Sequence, residues 1–162
     1  MTVAYLGLGA NLGNAPQTLK DAVIYLAQQV SIITLVESSL YRTAPVNAYG
    51  NDFYNCVVKI DTILAIRQLL ALCHSIENYF GRERLYQNSP RTLDIDILLY
   101  GTVQLDRNDL TVPHPRLIER AFALVPLLEL ESAIEIPNLA RADYYLSHVA
   151  SQRIEKITST NV

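Results

Sequence analysis

Residues 93–100 read LDIDILLY, and no other stretch restricts the fold as tightly. Alternate residues of an extended strand share a face. Leu93, Ile95, Ile97 and Leu99 therefore form one apolar row, while Asp94, Asp96, Leu98 and Tyr100 share the other side. Such a strand belongs in a sheet buried on one face. Its second face begins with two carboxylates and turns apolar further along, as expected where a cleft opens at the end of a sheet. Asp94 and Asp96 stand roughly 6.5 Å apart at their stems, so their oxygens can meet at one centre. Like charges at that spacing repel, which favours a cation between them. Paired hard oxygen donors suit Mg²⁺, which takes one or two carboxylates and fills its shell with water and phosphate oxygens. The same two residues also read as inward charges guarding an edge strand, or as surface partners of Arg91. Taken alone, they leave both readings open.

Arg82, Arg84 and Arg91 lie just upstream, with Glu83 the only acid between Arg82 and Arg91. Guanidinium forks match phosphate oxygens in pairs. Carboxylates on a strand and arginines on the loop before it point together to a polyphosphate ligand. The balance of charge across the chain supports a local anion pocket over a broad basic surface: thirteen basic residues face sixteen acidic ones, for a net charge of −3. That argues against a general nucleic-acid binder.

At 162 residues, half of them hydrophobic, the chain is expected to form one catalytic domain over 1–162. Cys56 and Cys73 each sit inside an apolar run and read as buried free thiols of a reducing compartment. No apolar run reaches the roughly 18 residues that a membrane span needs. The N-terminus MTVAYLGLG lacks the organisation of a signal peptide. A cytoplasmic monomer without membrane or nucleic-acid partners is the expectation.

Taken in order, residues 2–8 predict a first strand, followed by the turn GLGANLGNAP. Asn14 and Pro16 mark a helix start, and Leu19, Ala22, Val23, Leu26, Ala27 and Val30 recur at helical spacing. Residues 31–41 predict one long second strand, with Ile33 and Leu35 on one face, and Phe53–Thr62 a third that pairs with it. Residues 65–80 form an amphipathic helix closed by Gly81. The resulting order β-α-β-β-α-β predicts an α+β, ferredoxin-like core, an antiparallel sheet covered by helices. Short strands and helices follow it. TVPHP reads as a turn, 116–131 as helical pieces broken at Pro126, 139–150 as a last helix, and the tail from Gln152 as polar and frayed.

Other motifs carry less. GLGANLG resembles a dinucleotide-binding glycine turn with Glu37 as its ribose acid, which would make the chain an oxidoreductase. Its third glycine is one residue late and the strand order is not doubly wound, so a tight strand-to-helix turn is the preferred reading. His74 and His148 read as packed or surface residues. His114, held between Pro113 and Pro115, is placed to donate to a phosphate or merely to sit in a rigid turn. Phe53 and Asn55 share a strand face, the minimum for stacking on a flat heterocycle and bonding its edge, although Phe53 reads equally as core. An RNA-binding ferredoxin-like module would need exposed sheet aromatics and a basic face.

The segments AYLGLGANLGN, SSLYRTAPV, DFYN, IENYFGRER, PRTLDIDILLYG and LTVPHPRLIERAFALVPLLEL together resemble the 6-hydroxymethyl-7,8-dihydropterin pyrophosphokinase family. The resemblance implies transfer of the terminal diphosphate of MgATP to the pterin hydroxymethyl group, with release of AMP, in folate biosynthesis. It implies that Asp94 and Asp96 bind two Mg²⁺ ions, that Arg82, Arg84, Arg91, His114 and Arg120 hold phosphates, and that adenine lies near Leu70, Ile97, Leu110 and Thr111. Asp94, Asp96, Arg82 and Arg91 would be the catalytic set. Phe53 and Phe122 would sandwich the pterin, Asn55 would read its edge, and Thr43, Ala44 and Val46 would complete its pocket.

Overall fold

The computed structural model describes residues 1–44, 50–81 and 93–158. Its central strand is β1, Thr2–Ala10, which pairs antiparallel with β4, Phe53–Thr62, on one side and with β5, Asp94–Tyr100, on the other. Beyond β4 the sheet is completed by β2, Ile32–Glu37, and β3, Leu40–Thr43, each pairing with a different half of β4. Helices α1, Ala15–Ala27, and α2, Ile66–Phe80, bury their apolar stripes against one face through Leu19, Leu26, Leu69 and Ile76. This is the ferredoxin-like core that the element order predicts. Asn14 caps α1, its Oδ1 accepting from Gln17 N at 3.3 Å, and Gly81 ends α2. Val30 lies past the end of α1 and is exposed.

The second face carries its own core. A 3-10 turn, Leu117–Glu119, leads into α3, Ala121–Leu130, which packs against β4, and a longer 3-10 helix, Ala142–Val149, packs against α3. Leu98, Leu99, Val57, Leu124, Leu127 and Val149 meet in this cluster. The short strands β6, Leu105–Arg107, and β7, Leu110–Val112, form a separate hairpin.

Six expectations are corrected. The first strand does not end at Leu8: Gly7 and Gly9 are ladder residues of β1, and only Gly13, at φ 59°, serves the turn. A phosphate-binding glycine turn is therefore absent there. The long second strand is broken at Ser38 and Ser39. Glu37 pairs with Val58 and Tyr41 with Asn55, so four residue steps on one side match three on β4. The serine hydroxyl stands in for a main-chain carbonyl, Ser38 Oγ accepting from Val57 N at 2.9 Å. The extra residue reverses the faces, so Leu35 and Leu40 both pack on the first core while Tyr41 turns to the second. A similar shift in β5 sets Ile97 opposite Leu6 but Leu99 opposite Tyr5, so Leu99 joins Leu98 in the second core and Tyr100 packs against the first.

Helix α3 runs through Pro126 without breaking. The ring lacks the N–H that would bond the carbonyl four residues back, a loss set against its burial beside Leu124 and Leu127. Instead of an α-helix over 139–150, a bridge between Glu135 and Arg141 holds that loop until Ala142, and the turns that follow bond at three-residue spacing, as in Tyr144 N to Arg141 O. Finally, the tail is not frayed at Gln152. Glu155–Ile157 forms β8 and pairs with the open edge of β3, satisfying main-chain groups that β3 would otherwise leave exposed.

Glu129 of α3 ties the strand break to this second layer. Its carboxylate accepts from Ser39 N at 3.0 Å, Ser39 Oγ at 2.7 Å and Tyr41 Oη at 2.7 Å. Burial would raise its pKa, but the donors from Tyr41 and Ser39 together with Lys156 outweigh it and the carboxyl titrates below its ordinary 4.5. A group depressed in this way stabilises the fold above its unfolded pKa and loses that contribution as pH falls. Glu129→Gln should therefore be less stable than wild type at pH 7, and the gap should close as pH drops through 4.5, measured by thermal unfolding across pH 3–7.

Candidate active site

Past Leu98 and the Asp pair, the second face of the sheet opens into a cavity of ≈ 760 Å³. That volume suits a small-molecule site. Its floor is the glycine lane of β1: Gly9 lies between Asp94 and Asn55 in register, and Gly7 between Asp96 and Val57. Without side chains on β1, the carboxylates of β5 and the amide of β4 face one space across a bare strand. At Gly9 the bare backbone is required sterically, since a Cβ there would lie 2.6 Å from Asn55 Oδ1.

Each wall follows from a local feature. On β5, the amide between the two aspartates is held from α2, with Ile95 N donating to Glu77 Oε2 at 2.8 Å. His114 N donates to the carbonyl of Leu98, the residue that the β5 bulge leaves unpaired, and this brings the TVPHP turn beside Asp96. His114 Nε2 stands 3.8 Å from Asp96 Oδ2, and Arg120 Nη1 stands 3.9 Å from the same oxygen. Both distances exceed a hydrogen bond and leave the oxygen's lone pairs open to a ligand. His114 Nδ1 accepts from Arg116 N at 3.1 Å, so the neutral ring carries its proton on Nε2. Burial lowers the His114 pKa and the Arg120 and Arg116 cations add to that, against the opposing pull of Asp96. At neutral pH the ring is an uncharged donor aimed at the carboxylate side of the cavity.

Opposite lie the aromatics. Phe53 and Asn55 follow one another on the same face of β4, Thr43 pairs with Phe53, and Ala44 continues β3 into the cavity rim. Phe122 enters from α3, with the Arg120 guanidinium 5.3 Å from its ring centre. Asn55 is 6% exposed, and among the described residues its Nδ2 has no hydrogen-bond partner. An unmade bond of this kind costs about 1–3 kcal/mol, which an acceptor on a bound ligand would recover.

The structure thus gathers Asp94, Asp96, His114, Arg120, Phe122, Phe53, Asn55, Thr43 and Ala44 around one cavity. Leu70, Ile97, Leu110 and Thr111 do not line it. They lie behind β5, where Ile97 and Leu110 are buried in the first core with Leu70 packed against them, and Thr111 bonds to Asp106. Arg82, Arg84, Arg91 and Val46 fall outside the described residues. Sequence reasoning missed Arg116, Glu119, Gln152 and Arg153, which share the cavity wall. No local pattern marks them, because the last two reach the site from a segment some 30 positions further along. Among the described residues no cluster of three or more His, Cys, Asp or Glu forms a cage for a metal. Two carboxylates such as Asp94 and Asp96 could hold a cation that shares its shell with water and phosphate, a donor set that fits Mg²⁺.

Comparison with known proteins gives the family. Residues 5–132 match the family model described as 7,8-dihydro-6-hydroxymethylpterin-pyrophosphokinase. The 2-amino-4-hydroxy-6-hydroxymethyldihydropteridine pyrophosphokinase of Bacillus subtilis is 40% identical over 134 residues, covering 82% of this chain and 80% of the relative. Its counterpart in Methylorubrum extorquens is 44% identical over 131 residues, covering 80% and 83%. Among solved structures, wild-type Plasmodium falciparum HPPK-DHPS superposes with a TM-score of 0.70 at 16% identity, covering 92% of this chain and 41% of that longer one. The fold is that of a pterin pyrophosphokinase, and the chain belongs to the 7,8-dihydro-6-hydroxymethylpterin-pyrophosphokinase family. It is a transferase of folate biosynthesis that moves pyrophosphate onto hydroxymethyldihydropterin, with ATP as co-substrate. No helix among the described residues is long and apolar enough to cross a membrane.

The two glycines of the lane should respond differently to a methyl group. Gly9→Ala forces Asn55 aside and should cost about 1–3 kcal/mol, whereas Gly7→Ala, whose nearest neighbour is a Leu98 methyl at 3.4 Å, should cost less than about 1 kcal/mol. Urea unfolding of both variants checks the contrast.

Proposed function

We propose that the pterin ring lies between Phe53 and Phe122, with Asn55 reading its polar edge, Thr43, Ala44 and Val46 closing the slot, and the ATP phosphates crossing to Asp94 and Asp96. The observation that carries this reading is the orphaned Asn55 Nδ2, buried in a wall that faces the carboxylates across a strand without side chains. Flat heterocycles are held by stacking and by a few polar groups placed at one edge. Adenine belongs by the same reading near Leu70, Ile97, Leu110 and Thr111, and Arg82, Arg84 and Arg91 hold phosphate oxygens from the loop before β5.

In the reaction, the pterin hydroxyl oxygen attacks the β-phosphorus of ATP. The bond from that phosphorus to the α-phosphate bridging oxygen breaks, and AMP leaves. In-line placement and charge neutralisation account for most of the catalysis in such transfers. Two Mg²⁺ ions held by Asp94 and Asp96, when bound, supply that neutralisation and sharpen the acidity of the hydroxyl. Asp96 is the nearest acceptor for the hydroxyl proton. Neutral His114 donates Nε2–H to a phosphate oxygen, and Arg120 places a cation over the same space while its guanidinium rests against Phe122. Half-buried Arg120, close to Asp96, and the exposed Arg116 and Arg153 add positive charge to the lining that the carboxylates share. The reading has one catalytic domain spanning the chain and acting as a cytoplasmic monomer.

Two substitutions separate the roles. Asp96→Ala should lower turnover by orders of magnitude while pterin affinity changes little; turnover within a few-fold of wild type refutes the assignment. Asn55→Ala should leave stability unchanged or improved, because it removes an unpaired donor, and should weaken pterin binding about 10- to 100-fold by calorimetry.

A further inference from the structure

The match to the family model stops at residue 132, yet Ser151, Gln152 and Arg153 line the cavity. The side chain of Gln152 makes two hydrogen bonds there. Its Oε1 accepts from Ala121 N at 2.8 Å, and its Nε2 donates to Glu119 O at 2.8 Å. Those are the two residues that flank Arg120. Arg120 is the extended joint between the 3-10 turn and α3, at φ −124° and ψ 114°, and no side chain caps α3 from within its own N-terminal turn. A single amide therefore grips the backbone on both sides of the residue whose guanidinium faces Asp96 and rests on Phe122.

Gln152 is itself held from both directions. Its N donates to Val149 O at 3.0 Å at the end of a 3-10 helix anchored by buried Ala142 and Val149, and three residues later Glu155 begins the strand that pairs with β3. Rigid support on both flanks is what a residue needs in order to fix another group's direction rather than follow it. We propose that Gln152 is a positioning residue of the active site, setting the backbone angles of Arg120 and through them the placement of the Arg120 guanidinium against the substrates. This rests on the reading of Arg120 as a substrate contact. The segment 151–153 is thus a wall of the site contributed by a part of the chain that the family match does not include.

A double-mutant cycle tests it, because a residue that acts through another loses its effect once the other is gone. Gln152→Met keeps the length of the side chain and removes both bonds. It should lower kcat/KM for the pterin about tenfold in the wild-type background and less than about twofold in Arg120→Ala, with each enzyme's folded fraction checked by thermal unfolding. If Gln152→Met does not fold, Gln152→Asn, too short to reach both backbone groups, enters the same cycle with the same criteria. A full tenfold loss in both backgrounds, or a loss accounted for by unfolded enzyme alone, overturns the proposal while leaving Arg120 as a contact. Unchanged kcat/KM in Arg120→Ala removes the contact reading and the proposal with it.

Discussion

A stretch of the middle strand without side chains on the cavity face is the constraint on which the site depends. Gly7 and Gly9 put bare backbone between the carboxylates of β5 and the amide of β4. Three strands approach at the spacing that their ladders impose, about 4.8 Å from one to the next, so without intervening atoms a ligand can touch both outer strands at once. A methyl on Gly9 would fall on Asn55. The same two residues that superficially suggest a phosphate-binding turn therefore act through what they lack, and the anion site lies instead on β5 and on the turn beside it.

Single extra residues then decide which side chains share a face. The Ser38 bulge turns Tyr41 toward α3, where Glu129 holds it, and the Leu98 bulge frees a carbonyl that draws His114 alongside Asp96. Both irregularities shift a strand by one residue, and in a structure of period two that is enough to exchange core for cavity. The second core, built on Leu98, Leu99, Leu124 and Leu127, exists because of this exchange. It carries α3, and α3 carries Phe122 into the cavity that Phe53 also lines.

Electrostatically the cavity lining carries both signs. Asp94, Asp96 and Glu119 share it with Arg116, Arg120 and Arg153. Neutral His114 stands 3.8 Å from Asp96, kept uncharged by burial and by the Arg120 and Arg116 cations. Such a lining suits a ligand that arrives with a cation on its anionic tail, since both charges meet partners of the opposite sign. His114 and Arg120 approach Asp96 at nearly 4 Å without either closing it off.

By itself the sequence determined what depends on neighbours along the chain. Helical spacing placed α1 and α2, alternation placed β4 and β5, and the spacing of Asp94 and Asp96 put two carboxylates on one face, because all of these follow from the 3.6- and 2-residue repeats of regular backbone. The family resemblance extended that reading to Phe53, Asn55, His114, Arg120 and Phe122, and the cavity brings all five together. Tertiary structure alone decided the rest. Bulges are set by the partner strand, so neither Leu99 nor Tyr41 could be assigned to a face from its own neighbours. Pro126 ends a helix by local rules and does not end this one, where its burial in the helix with Leu124 and Leu127 is set against the lost bond. Gln152 has no local signature of any kind: its partners lie 31 and 33 residues away, and only the folding of the tail onto β3 and α3 gives its amide two backbone groups to hold.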